Sequence, residues 1–196
     1  MEAENVMCVI VYCCFDNEEV GSNTKQGAMS TFLKDVLHRI NNGLGKSEEE
    51  YYQAIAKTFL VSCDNAHALH PNHPEKTDAV NYVTMNGGIV IKESANQKYT
   101  TDAFSRALFT GVCQNVNVPV QSFANRSDSV GGSTLGNLSN TQVSIHAVDF
   151  GLAQLAMHSC FETAGVKDTE YAIIALKEFY ETNVQIDEAE SVCLEK

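Results

Sequence analysis

Apolar residues crowd into one near-continuous run early in the chain, VMCVIVYCCF at Val6–Phe15, rich in β-branched and aromatic side chains. Polar residues do not alternate with apolar ones there, so the run predicts a strand buried on both faces of a parallel sheet, with helices on both sides. After the Gly21-Ser22 turn the period changes. Ala28, Phe32, Leu33, Val36, Leu37 and Ile40 fall on one stripe and predict a helix over 24–40, stopped by NNGLG at 41–45. Ser47, followed three residues later by Glu50, opens a second helix to about Lys57 through a capping box.

FLVSC at Phe59–Cys63 predicts the next buried strand. The segment from His70 to Gly88 holds Pro71 and Pro74, has little periodicity and predicts a long loop, the kind of segment that often carries function. Beyond it, Gly88–Lys92 reads as a short strand and Thr101–Val116 as a helix with Ala103, Ala107, Leu108 and Val112 on its apolar face. Two further strands follow at Val118–Ala124 and Gln142–Phe150, separated by the Gly-rich turn GGSTLGN at 131–137. A last helix over 168–182 directs Ala172, Ile173, Leu176, Phe179 and Tyr180 inward, and the charged QIDEAESVCLEK after it is expected to fray. This alternation of strands and helices predicts a three-layer α/β/α sandwich.

Length and composition narrow the picture. With 196 residues, 44% of them hydrophobic, one domain with a sizeable core is expected. Against 13 Lys and Arg stand 25 Asp and Glu, a formal net charge of -12, which argues against nucleic acid and anionic membrane as partners because both are bound mainly through basic surface. The 7 cysteines form no C-x-x-C pair, so neither a disulfide framework nor a thiolate zinc site is supported, and a reducing cytoplasmic setting is expected. The run at Val6–Phe15 is too short to span a bilayer.

In open α/β sheets ligands bind beyond the carboxyl ends of the strands. Residues able to bind metal stand at or after three of the predicted ends: Asp16, Glu18 and Glu19; Asp64, His67 and His70; Asp149 and His158. Carboxylate oxygen with imidazole nitrogen is the donor set of a zinc, manganese or cobalt hydrolase. Each residue also has a plainer reading: Glu18-Glu19 as a solvated turn, Asp64 as a cap, His158 as a core histidine. Residue type and spacing leave both open.

The words of the sequence carry more. FDNEEVGS, CDNAHALHPNHPEK, NGGIVIK, ANQKYTTDA, NRSDSVGGSTLG and QLAMHS occur in the order and spacing of the M18 metallo-aminopeptidases, the aspartyl-aminopeptidase-like family, and the similarity runs from about Val9 to about Tyr180. The chain resembles the C-terminal half of that family's catalytic domain. The resemblance implies a fold of the zinc-dependent exopeptidase type and a metal-dependent removal of N-terminal residues from peptides, acidic ones among them. It makes Glu18 the general base, Glu19 and His158 ligands of one metal and Asp64 a ligand of the other, with zinc as the metal and manganese or cobalt as alternatives. It places Lys92 near the substrate side chain and the loop with Gly132, Ser133 and Thr134 beside the substrate, while His70 contacts substrate or a neighbouring subunit.

In the family, the earlier half of the chain brings a ligating histidine, an aspartate bridging both metals and an inserted oligomerisation domain. MEAENVMCVIVYCCF holds no histidine or aspartate. The expectation is therefore an incomplete sandwich, with 1–184 a partial catalytic domain, 185–196 a charged tail, a doubtful dinuclear site and weak or absent activity of the chain alone. A non-catalytic remnant or half-subunit, acting only with a complementary chain or by self-association, is the alternative.

Overall fold

The computed structural model describes residues 8–187 and 191–195. Its elements in chain order are α1 (Phe32–Gly43), α2 (Glu48–Ala56), β1 (Phe59–Cys63), β2 (Ala66–His67), β3 (Ile89–Lys92), α3 (Ala103–Asn115), β4 (Val120–Phe123), α4 (Leu135–Ser139), β5 (His146–Gly151), β6 (Ala153–Leu155), β7 (Thr163–Ala164), α5 (Val166–Glu181), β8 (Asn183–Ile186) and β9 (Val192–Glu195). Short 3-10 turns occupy Glu18–Val20 and Pro74–Lys76.

The principal sheet has the order β1-β5-β3-β4. Strand β1 runs parallel to β5, with Ser62 beside Asp149, and β3 runs parallel to β4. Between the two pairs the direction reverses, Ile91 facing Phe150 across an antiparallel ladder. The sheet is thus mixed, where continuous apolar runs predicted a parallel one; such a run reports burial of both faces and carries no information on strand direction.

Side chains alternate across this sheet and build two cores. On one face Ile89, Ile91, Val148 and Phe150 pack under Leu108, Phe109 and Val112 of α3 and Ala175 of α5. On the other, Val90 and Phe123 join Ala66, Ala68, Val83, Tyr99 and Ala153 around the small sheet β2-β6-β7, while α4 is held through Gly136, whose N–H donates to Ser62 Oγ at 2.9 Å. Helices, sheet, then α4 with the small sheet are the layers of an incomplete α/β/α sandwich.

Several local expectations change. Residues 8–15 enter no strand, and Val6 and Met7 lie outside the described residues. A strand needs a neighbour to take its ladder hydrogen bonds, and the four-stranded order offers that run none. Helix α1 begins at Phe32 rather than Thr24, because 24–31 is taken up by successive turns, among them Ser30 N–H to the Gly27 carbonyl at 3.0 Å. Ala103 and Ala107 are exposed on α3, as are Ile173 and Tyr180 on α5; Phe109 and Ala175 are the buried residues at those levels. The segment expected to fray contributes the antiparallel hairpin β8–β9, with Val184 opposite Leu194 and both against the α3–α5 core. The capping box is present: Ser47 Oγ accepts from Glu50 N–H at 3.2 Å and Ser47 N–H donates to the Glu50 carboxylate at 2.8 Å.

Candidate active site

Where the β1 chain leaves the sheet, Asp64 N–H donates to the Phe150 carbonyl at 2.8 Å and the backbone turns away over Gly151. A Cβ on Gly151 would stand 1.9 Å from the Asp64 carbonyl oxygen, so the turn can sit this low only over a residue without a side chain. Asn65 then ties the turn to β6, its Oδ1 accepting from Leu152 N–H at 3.0 Å and its Nδ2 donating to Gln154 Oε1 at 2.6 Å. Strand β6 leads directly into the turn that carries His158.

His158 adopts a left-handed backbone with φ 67°, and its N–H donates to Glu162 Oε1 at 2.6 Å. Left-handed backbone at a non-glycine residue is strained and clusters at functional positions. The Glu18-Glu19 pair sits in a 3-10 turn bracketed by Asn17 at φ 60° and Gly21 at φ 97°. At three residues per turn, successive side chains diverge by about 120°. Glu19 accordingly reaches His158, Oε2 to Nε2 at 3.4 Å, while Glu18 faces a cavity.

That cavity, of about 640 Å³, brings together Glu18, Asp64, His67, His70, Lys92, Gly132, Ser133 and His158. Glu19 stands beside it through His158. Thr134 does not line it: the side chain is buried and caps α4, accepting from Asn137 N–H at 3.4 Å. Asp16 accepts from Asn17 N–H at 2.8 Å within its own turn. Asp149 is buried inside the fold, its Oδ2 taking Thr100 N–H at 2.6 Å and Thr100 Oγ1 at 2.8 Å.

The cavity groups share one electrostatic field. Burial pushes the Glu18 carboxyl above its ordinary range, and the negative charges of Asp64 and Glu19 push it further, against His158 and Lys92. Burial likewise holds the His67 imidazole down, with the Lys92 and His158 charges adding to it and Asp64 opposing. Lys92, almost wholly buried, lies 3.1 Å from Asp64 Oδ2.

Asn65, Gln154 and Gly151 had no place among the sequence expectations. Asn65 and Gln154 are 89 residues apart, and neither carries a local signal; a glycine at a strand end hints at close backbone approach but does not say to what.

Carboxylates and imidazoles suit zinc in kind, but their number falls short. Among the described residues no group of three or more His, Cys, Asp or Glu could hold a metal ion. Glu19 and His158 face each other, and Asp64 faces Lys92. The described residues therefore do not complete a metal site, and no chemical step is assigned to a metal here.

The profile of the family described as "Aminopeptidase I zinc metalloprotease (M18)" matches residues 1–180. The chain belongs to the M18 aminopeptidase family. It is 49% identical over 170 residues to a probable M18 family aminopeptidase 2 of Clostridium novyi, covering 87% of this chain and 39% of that one. With aspartyl aminopeptidase 1 of Schizosaccharomyces pombe it shares 43% identity over 185 residues, 94% of this chain and 39% of the relative. Among solved structures, a cryo-EM structure of the Ape4 and Nbr1 complex superposes with a TM-score of 0.80 at 44% identity, covering 83% of this chain and 31% of that chain. The M18 member thus spans about two fifths of the length of the curated relatives it matches.

Proposed function

We propose that this M18 chain supplies Glu18 as the general base, and Glu19, His158 and Asp64 as ligating side chains, to a site that removes N-terminal residues from peptides. The observation that carries the reading is the placement of Glu18: a partly buried carboxylate on a cavity wall, its proton affinity raised by burial and by Asp64 and Glu19. A carboxylate with that raised affinity takes a proton from an attacking water and passes it to the departing amine, a contribution of roughly 10²–10⁴-fold in rate. Gly132 and Ser133 line the cavity with little side chain, so peptide backbone can lie close there, and His70 lines the same cavity. Its Nδ1 is taken by Asn72 N–H at 3.2 Å, leaving Nε2 to face substrate.

A second reading is favoured by the shortfall in ligands: the chain alone is a non-catalytic half that acts with a complementary segment or chain, which supplies the remaining donors. Zinc, the metal for which the family is described, would then be held jointly, with manganese or cobalt as substitutes. The setting we propose is the cytoplasm, with peptides as substrates and neither nucleic acid nor membrane as partner. It is supported by the net charge of -12 and by seven free cysteines.

Hydrolysis of aminoacyl-nitroanilides by the chain alone, and mixed with the remaining catalytic-domain segment of the C. novyi relative, tests both readings. We expect turnover in the mixture, little from the chain alone, and a loss of about 10²–10⁴-fold with Glu18→Gln in the mixture. Turnover indifferent to Glu18→Gln would remove Glu18 as the base.

A further inference from the structure

Two of the segments that wall the cavity are loops lying outside the sheets: 70–81, which carries His70, His73 and Lys76, and 126–133, which carries Gly132 and Ser133. Each is fixed at its ends. Leu69 N–H donates to the Val83 carbonyl at 2.8 Å around the first, while Asn125 Nδ2 donates to the Tyr99 hydroxyl at 2.8 Å and Thr134 caps α4 on either side of the second. Between those ends the bonds are internal, such as Val80 and Asn81 N–H to Asp78 Oδ1 at 2.9 Å and 2.7 Å, and Ser129 N–H to the Arg126 carbonyl at 3.0 Å. Among the described residues a single hydrogen bond leaves either segment, and it joins the two: Arg126 Nη1 donates to the Glu75 carbonyl.

The guanidinium is aimed before it makes that bond. Its Nε and Nη2 grip the Asp128 carboxylate at 2.9 Å and 2.6 Å, a bidentate pair that sets the plane of the group and turns Nη1 out of its own loop. The Asp128 hydrogen bonds foremost, with the charges of Asp128, Asp78 and Glu75 adding to them, hold the guanidinium above its ordinary proton affinity. A lysine has no planar fork with which to hold one carboxylate and reach a second acceptor. Segments with so few outside bonds open at small free-energy cost, and a substrate that must order them binds less tightly.

We propose that Arg126 is a positioning residue for the cavity: a clasp, oriented by Asp128 and closed on the Glu75 carbonyl, that holds the His70 segment against the Gly132–Ser133 loop before substrate arrives. The inference rests on the reading that this cavity receives a peptide, and it gives Arg126 no contact with the reacting atoms. Glu18 stands on a separate turn, Glu18–Val20, so releasing the clasp weakens substrate capture more than the chemical step.

Hydrogen exchange on the full chain, without substrate, tests the clasp directly. In Arg126→Gln we expect amides in 70–81 and 126–133 to exchange about tenfold faster, with those of α3 and β3 unchanged. Arg126→Lys, which keeps the charge without the fork, should loosen both loops as well, and Asp128→Ala, which leaves the guanidinium unaimed, should loosen them part of the way. Parent-like exchange in Arg126→Gln or Arg126→Lys overturns the proposal, as does faster exchange spread equally over α3 and β3, which would mark a general loss of stability. Kinetics of the chain mixed with the remaining catalytic-domain segment of the C. novyi relative then read the positioning role: Arg126→Gln should raise KM for an aminoacyl-nitroanilide roughly tenfold and lower kcat by less. A KM at the parent value despite loosened loops also overturns it. Absence of turnover with the parent chain counts against the peptidase reading alone, and the exchange comparison still judges the clasp.

Discussion

Asp168 shows how much one carboxylate can organise. It lies at the third position of α5, wholly buried, and accepts from Asn86 N–H at 2.6 Å and Gly88 N–H at 2.9 Å. The charge suits the helix N-terminus, and the two bonds fix a turn with φ 62° at Asn86 and 109° at Gly88, immediately before β3 and hence before Lys92. An asparagine there would turn an amide N–H₂ toward one of those N–H groups. Asp168→Asn is expected to lose about 1–3 kcal/mol, seen as a lower urea midpoint with an unchanged slope. The same argument separates Glu18 from Glu19: adjacent in sequence, they differ because the 3-10 turn sends one into the cavity and the other to His158.

Among the elements, α2 is set by its first turn. Glu50 is held far below the ordinary carboxylate value of 4.5, to about 2, first by the Ser47 backbone N–H, then by the Lys46 and Ser47 side chains. Because the folded state binds this proton less readily than the unfolded state, the cap's contribution is fully present above 4.5 and fades as pH falls toward 2. A carboxyl titration followed by NMR should find Glu50 ionising well below the ordinary carboxylate value of 4.5, and Ser47→Ala, which removes the hydroxyl but keeps the backbone N–H, should move it only part of the way back. Strand elements behave differently. β1 and β3 form at their sequence positions, but which strands they meet depends on β5, which arrives from far along the chain and pairs parallel with one and antiparallel with the other.

For the molecule as a whole, the exposed apolar residues include Val9 at 47%, Ile10 at 59% and Tyr12 at 80%, all from the run that enters no strand. Apolar surface with unladdered backbone favours pairing with another chain. Sedimentation should therefore show a mass above the 21.4 kDa monomer that rises with concentration, and Tyr12→Asp should shift it toward monomer. The sequence by itself determined the element types of α2, β1, β3 and α3, the capping box, the acidic balance and, through six ordered motifs, the M18 family, though not β2; these follow from local periodicity, local hydrogen bonding and residue identity. Tertiary structure alone decided the mixed sheet, the idle run at 8–15, the pairing of Lys92 with Asp64 and the Asn65–Gln154 tie. Those depend on which segments meet in space, and a contact between residues 28 or 89 positions apart leaves no period in the chain to read.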